Sequence, residues 1–249
     1  MKTRDIAGID LALGAVIFDM DGVIVDSHPA HRHAWRRFLQ DLGRQVPDHE
    51  LDFILDGRKR VDILRYFLGE LSEIELAEFG NRKDEFFQRN ADHVKPMSGV
   101  TELLVQLRKE KIVMAVATSA SEVRTHSTLE RLKLRHYFSA IITANDVAHG
   151  KPDPTVYRLA CQRVNTSPET ALAIEDAVSG VQAARGAGLK VLGVSDPKAA
   201  DKLRGAGAFH VVENLEGLSL KRLRQLMRQD RHLAGAGWLV RPSSDPLPS

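Results

Sequence analysis

Short apolar runs recur along the chain at 15–18, 112–117, 140–143, 171–174, 190–194 and 209–212, separated by stretches whose apolar positions follow helical spacing. Runs of this kind read as buried strands. Their alternation with helices predicts an α/β fold, a doubly wound, mostly parallel sheet with right-handed crossovers. Between the first and second runs the alternation breaks: roughly ninety residues intervene, where a crossover needs about a dozen. That interruption is mainly helical. Ser27 or His28 can cap a helix with Pro29 in its first turn, and Ser72 with Glu75 makes a capping box ahead of a helix through Phe86 and Phe87. Pro96 and Gly99 mark the return to the core. Residues 1–27 and 95–228 are therefore expected to form the core and 28–94 an inserted small α-helical cap domain. Residues 229–249 are expected to be a C-terminal tail, partly disordered because its end is rich in Pro and Ser.

Composition narrows the class of partner. A net charge of +2, with acids and bases mixed along 249 residues, announces no nucleic-acid-binding face. Cys161 is the only cysteine, which excludes an intrachain disulfide framework and a cysteine-rich zinc site and points to an intracellular, cytoplasmic setting. No apolar run approaches the ~18 residues of a membrane span. The stretch 9–18 follows Lys2 and Arg4 but runs straight into Asp19 without a cleavage pattern, so it reads as strand rather than leader. No internal repeat is present, and the protein is expected to act as a monomer without a membrane or nucleic-acid partner.

The chemistry sits where the apolar runs end. Asp19 and Asp21 close the first run with Gly22 behind them, Thr118 and Ser119 follow the second, Lys151 lies beyond the third, and Glu175 and Asp176 end the fourth. The carboxyl ends of parallel strands are where an open α/β sheet keeps its ligand crevice. Taken singly, Thr118 would serve as a helix cap, Lys151 as a solvated lysine and Glu175-Asp176 as a loop; in order, at successive strand ends, they predict one site. Asp19, ionised at neutral pH, is the candidate nucleophile, and Asp21 the candidate acid and base that serves the leaving and attacking oxygens. Thr118 and Lys151 would meet the charge spread over a transferring phosphoryl group. A hard cation such as Mg2+ fits the carboxylate set of Asp19, Asp21, Glu175 and Asp176. Gly186-Ala-Gly188 follows no strand and reads as a helix end, and no phosphate-cradling Gly-x-x-x-x-Gly-Lys segment is present, so no nucleotide cofactor is expected.

The segment from Asp19 to Val23, Thr118 in Val116-Ala-Thr-Ser-Ala120, Lys151 in Gly150-Lys-Pro-Asp-Pro154 and the Glu175-Asp176 segment together resemble the four motifs of the haloacid dehalogenase superfamily, over essentially the whole chain to about residue 225. The resemblance implies a Rossmann-like core and Mg2+-dependent phosphotransfer. The insertion looks like the helical cap of the subgroup holding phosphoglycolate phosphatases, sugar phosphatases and β-phosphoglucomutases. Its sequence is similar to the last of these: His31 and Trp35 lie one helical turn apart, Gly57 and Arg60 fall in a cap-loop segment, and Lys83 follows in the second half. In that family such residues bind the sugar and its non-reacting phosphate, so His31, Trp35, Gly57, Arg60, Lys83, Ser119 and Ala120 are the expected substrate contacts. The expected reaction is the conversion of β-glucose 1-phosphate to glucose 6-phosphate through the bisphosphate. The alternatives are hydrolysis of a small sugar phosphate, phosphoglycolate or pyrophosphate, and, further off, a non-catalytic sugar-phosphate sensor. Where the mutases carry a Lys-Asn pair for the distal phosphate this chain has Ser121 and Glu122, and the longer turn resembles the phosphatases of the subgroup.

Overall fold

A computed structural model describes residues 13–236. Each apolar run becomes a strand within two residues of its expected limits: β1 (Ala15–Phe18), then, beyond the insertion, β4 (Val113–Ala117), β5 (Ala140–Ile142), β6 (Ala171–Glu175), β7 (Lys190–Val194) and β8 (His210–Val212). Two further short strands, β2 (Val25–Asp26) and β3 (Lys95–Pro96), pair antiparallel with each other at the two ends of the insertion. The six long-range strands form one parallel sheet in the order β5-β4-β1-β6-β7-β8. The order in which strands are added therefore reverses at β1, which pairs with β4 on one side and β6 on the other, and such a switch point opens a crevice at the carboxyl edge.

The helices sort onto the two faces by strand periodicity. Val16 and Phe18 of β1, Met114 and Val116 of β4, and Leu172 and Ile174 of β6 face one layer, built from α4 (Val100–Lys109), α5 (Glu122–Arg131) and α9 (Leu220–Ala236). The alternate residues Ala15, Ile17, Ala115, Ala117, Ala171 and Ala173 face α6 (Thr155–Arg163), α7 (Val178–Gly186) and α8 (Ala200–Ala206). Alanines on that side let the helices approach closely, so runs that look uniformly apolar in sequence conceal two faces of different depth. No helix among the described residues is long and apolar enough to cross a membrane.

The insertion holds α1 (His28–Asp41), α2 (Arg60–Leu68) and α3 (Glu73–Gln88), packed around Trp35, Phe38, Leu39, Leu51, Leu64 and Phe67 as a separate apolar cluster. Ser72 and Glu75 form the expected reciprocal cap of α3, contributing about 1 kcal/mol. The helix α9 continues to Ala236, eight residues past the limit of 228 expected for the core, because its apolar face at Leu223, Leu226 and Met227 packs under the sheet. The remaining tail lies outside the described residues.

Candidate active site

Sheet register brings the chemical groups together. Phe18 stands opposite both Val116 and Ile174, so Asp19, Thr118 and Asp176 leave their strands at one level of the carboxyl edge. Gly22, at φ +78°, turns the chain away at once; a β-carbon there would lie 2.1 Å from Asp176 Oδ2 and 2.6 Å from His28 Cε1. Above this edge lies a cavity of about 450 Å³, lined from the sheet by Asp19, Asp21, Thr118, Ser119, Ala120 and Asp176 and from the insertion by His31, Trp35, Gly57, Arg60 and Lys83. All eleven of those sequence-predicted residues thus line one cavity. Lys151 and Glu175 lie beneath it.

Lys151 is buried and bridges two carboxylates: Nζ donates to Asp19 Oδ1 at 2.5 Å and to Glu175 Oε1 at 2.6 Å. Burial alone would lower its titration, but Asp19 and Glu175 outweigh it and hold the ammonium above the usual lysine range. Glu175 is fully buried. It also accepts from Tyr157 Oη at 3.0 Å and from the backbone amides of Asp176 and Ala177 at 2.9 and 3.0 Å. Glu175 thus anchors Lys151 and turns the chain from β6 into α7, beneath the edge where a cation would be held.

Asp21 is also held by partners from other elements. Its carboxylate accepts Ser27 Oγ at 2.6 Å and a bidentate fork from Arg124, at 2.9 and 2.6 Å, while His31 Nε2 lies 3.4 Å away. The side chain is thus held by Ser27 and Arg124 at the rim of the cavity, a position suited to proton transfer. Burial favours its neutral form, yet Arg124 and then His31 outweigh this and hold the carboxyl well below the usual carboxylate range. A depressed folded value stabilises the protein above the unfolded value and is lost as pH falls through the folded one. Arg124→Met is therefore expected to destabilise the fold by about 2 kcal/mol at pH 7 and by somewhat less near pH 3, between the unfolded and folded values, as read from urea unfolding at both. An equal loss at both would show that the pairing with Asp21 is not its source.

Of the candidate cation ligands, Asp19 and Asp176 line the cavity at the strand edge itself. Burial pushes both carboxyls upward; Lys151 only partly offsets this at Asp19, and His28, whose Nε2 lies 3.1 Å from Asp176 Oδ2, only partly offsets it at Asp176. Two carboxylates crowded at a strand edge and short of positive charge suit Mg2+, which takes one or two carboxylates and completes its shell with water and phosphate oxygens.

The wall from the insertion is cationic and aromatic. Lys83 Nζ sits 5.6 Å above the Trp35 ring and 5.1 Å above Phe87, and lies 3.4 Å from His31 Nδ1. Burial lowers Lys83 to about 8, and burial with the adjacent Lys83 lowers His31 to about 3, so His31 is a neutral imidazole. Trp35 has two roles, packing on Phe38 and Phe67 as cap core while its face carries Lys83. Arg60 pairs with Asp84 and donates to Gly80 O at 3.2 Å.

Sequence reasoning did not assign Ser27, His28, Arg124 or Tyr157 to the site. Ser27 occupies the N-cap position of α1 but gives its hydroxyl to Asp21 rather than to the helix. Arg124 left one usable signal: a cation in the first turn of α5 opposes the helix dipole and calls for a buried carboxylate partner.

A family model described as haloacid dehalogenase-like hydrolase matches residues 16–194. The chain is 35% identical to the phosphorylated carbohydrates phosphatase of Thermotoga maritima, over 83% of this chain and 97% of that one. It is 31% identical to the β-phosphoglucomutase of Bacillus subtilis, over 87% and 96%. A crystal structure of β-phosphoglucomutase from Clostridium difficile superposes with a TM-score of 0.78 over 87% of this chain and 97% of that one; at 24% identity this likeness speaks for the fold.

Proposed function

Because the chain belongs to the haloacid dehalogenase-like hydrolase family, we propose that it transfers the phosphoryl group of a small phosphorylated sugar through an aspartyl-phosphate on Asp19, with water as the final acceptor. The observation that carries the choice of acceptor is the state of the arginines. The two that line the cavity from the insertion, Arg58 and Arg60, are already engaged by the carboxylates of Asp56 and Asp84. A mutase must grip a second phosphate while the first reacts, and each of these guanidiniums would first have to leave its carboxylate.

In the first step an Asp19 oxygen attacks phosphorus and the bond from phosphorus to the sugar oxygen breaks. Asp21, released from Arg124 and protonated, gives its proton to the departing alkoxide. In the second step a water oxygen attacks phosphorus, its proton returns to Asp21, and the bond to Asp19 breaks with release of phosphate. Lys151 and the Thr118 hydroxyl, with the backbone amides that follow Asp19 and Thr118, face the equatorial oxygens whose charge rises in both steps. Mg2+ held by Asp19 and Asp176 would supply charge neutralisation at the phosphoryl oxygens. Lys83, neutral His31 and the Trp35 face offer the donors and flat apolar surface that a sugar ring takes.

The same wall supports a second reading, the β-phosphoglucomutase reaction, since His31, Trp35 and Lys83 stand together as the sequence resemblance required. One assay separates the two. Purified protein with Mg2+ receives β-glucose 1-phosphate and a trace of β-glucose 1,6-bisphosphate, and in parallel a panel of hexose and hexitol monophosphates. Free phosphate appearing in step with substrate loss is the expected result. Glucose 6-phosphate formed with little phosphate would replace the hydrolase with the mutase, and no turnover of any sugar phosphate would sink both.

A further inference from the structure

The loop that carries Gly57 into α2 is fastened to the core at two points, each beside a group of the site. At the first, Ser179 Oγ, in the opening turn of α7 and three residues from Asp176, donates to Asp56 O; Gly57, at φ +72°, passes so close that a β-carbon would lie 3.1 Å from both Ala177 Cβ and Ser179 Oγ. At the second, Lys59 Nζ donates to Val147 O at 2.6 Å and to Ala148 O at 3.2 Å. These carbonyls belong to the segment that leads into Lys151. Gly150 has no side chain where the Lys59 stem crosses it; a β-carbon would meet Lys59 Cγ at 2.5 Å. On the opposite side, the insertion joins the core through the β2–β3 pair and through Ala30, Ala34 and Phe87, which pack in the core cluster.

We infer that Lys59 is a positioning residue that holds the helical insertion closed over the cavity and so sets whether water or a sugar hydroxyl reaches the phosphorylated Asp19. The inference rests on the phosphotransfer reading above. A lysine serves well as such a clasp. Its ammonium gives up solvent for two carbonyls and reaches them on a long, flexible stem, so the contact can form and break without disturbing the backbone on either side. Because the acceptor carbonyls lie just before Lys151, closing the insertion and seating that ammonium become a single event. The hydrogen bonds come from a partly exposed side chain, so their loss shifts an equilibrium without unfolding either part.

The test compares Lys59→Met and Lys59→Arg with the wild type. In the free proteins, amide hydrogen exchange is followed over 56–68 and 147–151. Exchange in both segments is expected to rise about tenfold in Lys59→Met and to return toward the wild type in Lys59→Arg. With Mg2+ and p-nitrophenyl phosphate as donor, the ratio of free phosphate to glucose phosphate is then measured at high glucose. Lys59→Met is expected to shift that ratio about tenfold toward free phosphate, with Lys59→Arg intermediate. Unchanged exchange in both segments, or changed exchange with an unchanged partition ratio, overturns the assignment. If the wild type cleaves no phosphate ester, the phosphotransfer reading fails, while the exchange data still decide whether Lys59 is the clasp.

Discussion

Asp19→Asn is expected to lower turnover of a sugar phosphate by about 10⁴-fold or more and to abolish the acid-stable, hydroxylamine-labile phosphoenzyme expected of the wild type. An amide cannot serve as the nucleophile, and neither Thr118 nor Asp21 stands where it could replace it. The same substitution is expected to leave the fold at least as stable as the wild type in the presence of a chelator. Asp19's carboxyl is raised by burial, with Glu175, Asp176 and Asp21 adding to the effect, so its ionised form works against folding at neutral pH. Asparagine keeps the shape and removes the repulsion, while Lys151 retains Glu175. Loss of activity without loss of stability therefore separates chemistry from architecture. Thermal unfolding and phosphate release on one preparation decide it, and a variant that keeps wild-type turnover would end the covalent mechanism.

Lys151→Met should fail on both counts. Removing the ammonium leaves Asp19 and Glu175 facing each other in the interior, and breaking a buried pair in this way costs about 3–5 kcal/mol. The folded titration of Lys151 lies above that of a free lysine, so its stabilisation is fully present below the ordinary lysine value and lost only as pH rises through the raised one. The deficit should therefore persist across the neutral range. Turnover should fall by about 10²–10³-fold through loss of charge at the equatorial oxygens. A second substitution, Glu175→Gln, is expected to recover part of the stability of Lys151→Met, because a neutral amide can still accept from Asp176 N and Ala177 N; it should restore no activity. Urea unfolding of the single and double variants measures the recovery. Wild-type stability in Lys151→Met would mean that the bridge between Asp19 and Glu175 is not what holds this edge together.

The fold was legible because its signals are local. Continuous apolar runs such as 15–18 and 171–174 can be buried only as interior strands, and the length between the first two runs forces an insertion. Asp19, Thr118, Lys151 and Asp176 were legible for a related reason: position at a strand end is readable along the chain. The fates of Asp21 and Glu175 were not. Both are carboxylates beside the reactive group, and what distinguishes them from Asp176 is a partner far away in sequence: Arg124 for Asp21, Lys151 and Tyr157 for Glu175. Pairing across such separations depends on helix rotation and side-chain reach, which no spacing rule encodes. The two-residue strands β2 and β3 were invisible for the opposite reason: Val25-Asp26 and Lys95-Pro96 are too short to carry a pattern, and only their meeting makes them strands.

That meeting has a consequence for how the chain can assemble and vary. Val25 lies opposite Pro96 and Asp26 opposite Lys95, so the two ends of a segment of roughly seventy residues are held one strand-width apart. For the rest of the polypeptide, the whole segment then behaves as one closed loop. The entropy of closing such a loop grows only with the logarithm of its length, by about 0.6 kcal/mol per doubling. Lengthening, shortening or exchanging the segment thus leaves the sheet's own free energy almost untouched. Substrate choice can drift in one part of the gene while the reaction is preserved in another, provided the contacts that cross between them, such as Asp56 with Ser179 and Lys59 with Val147, are kept.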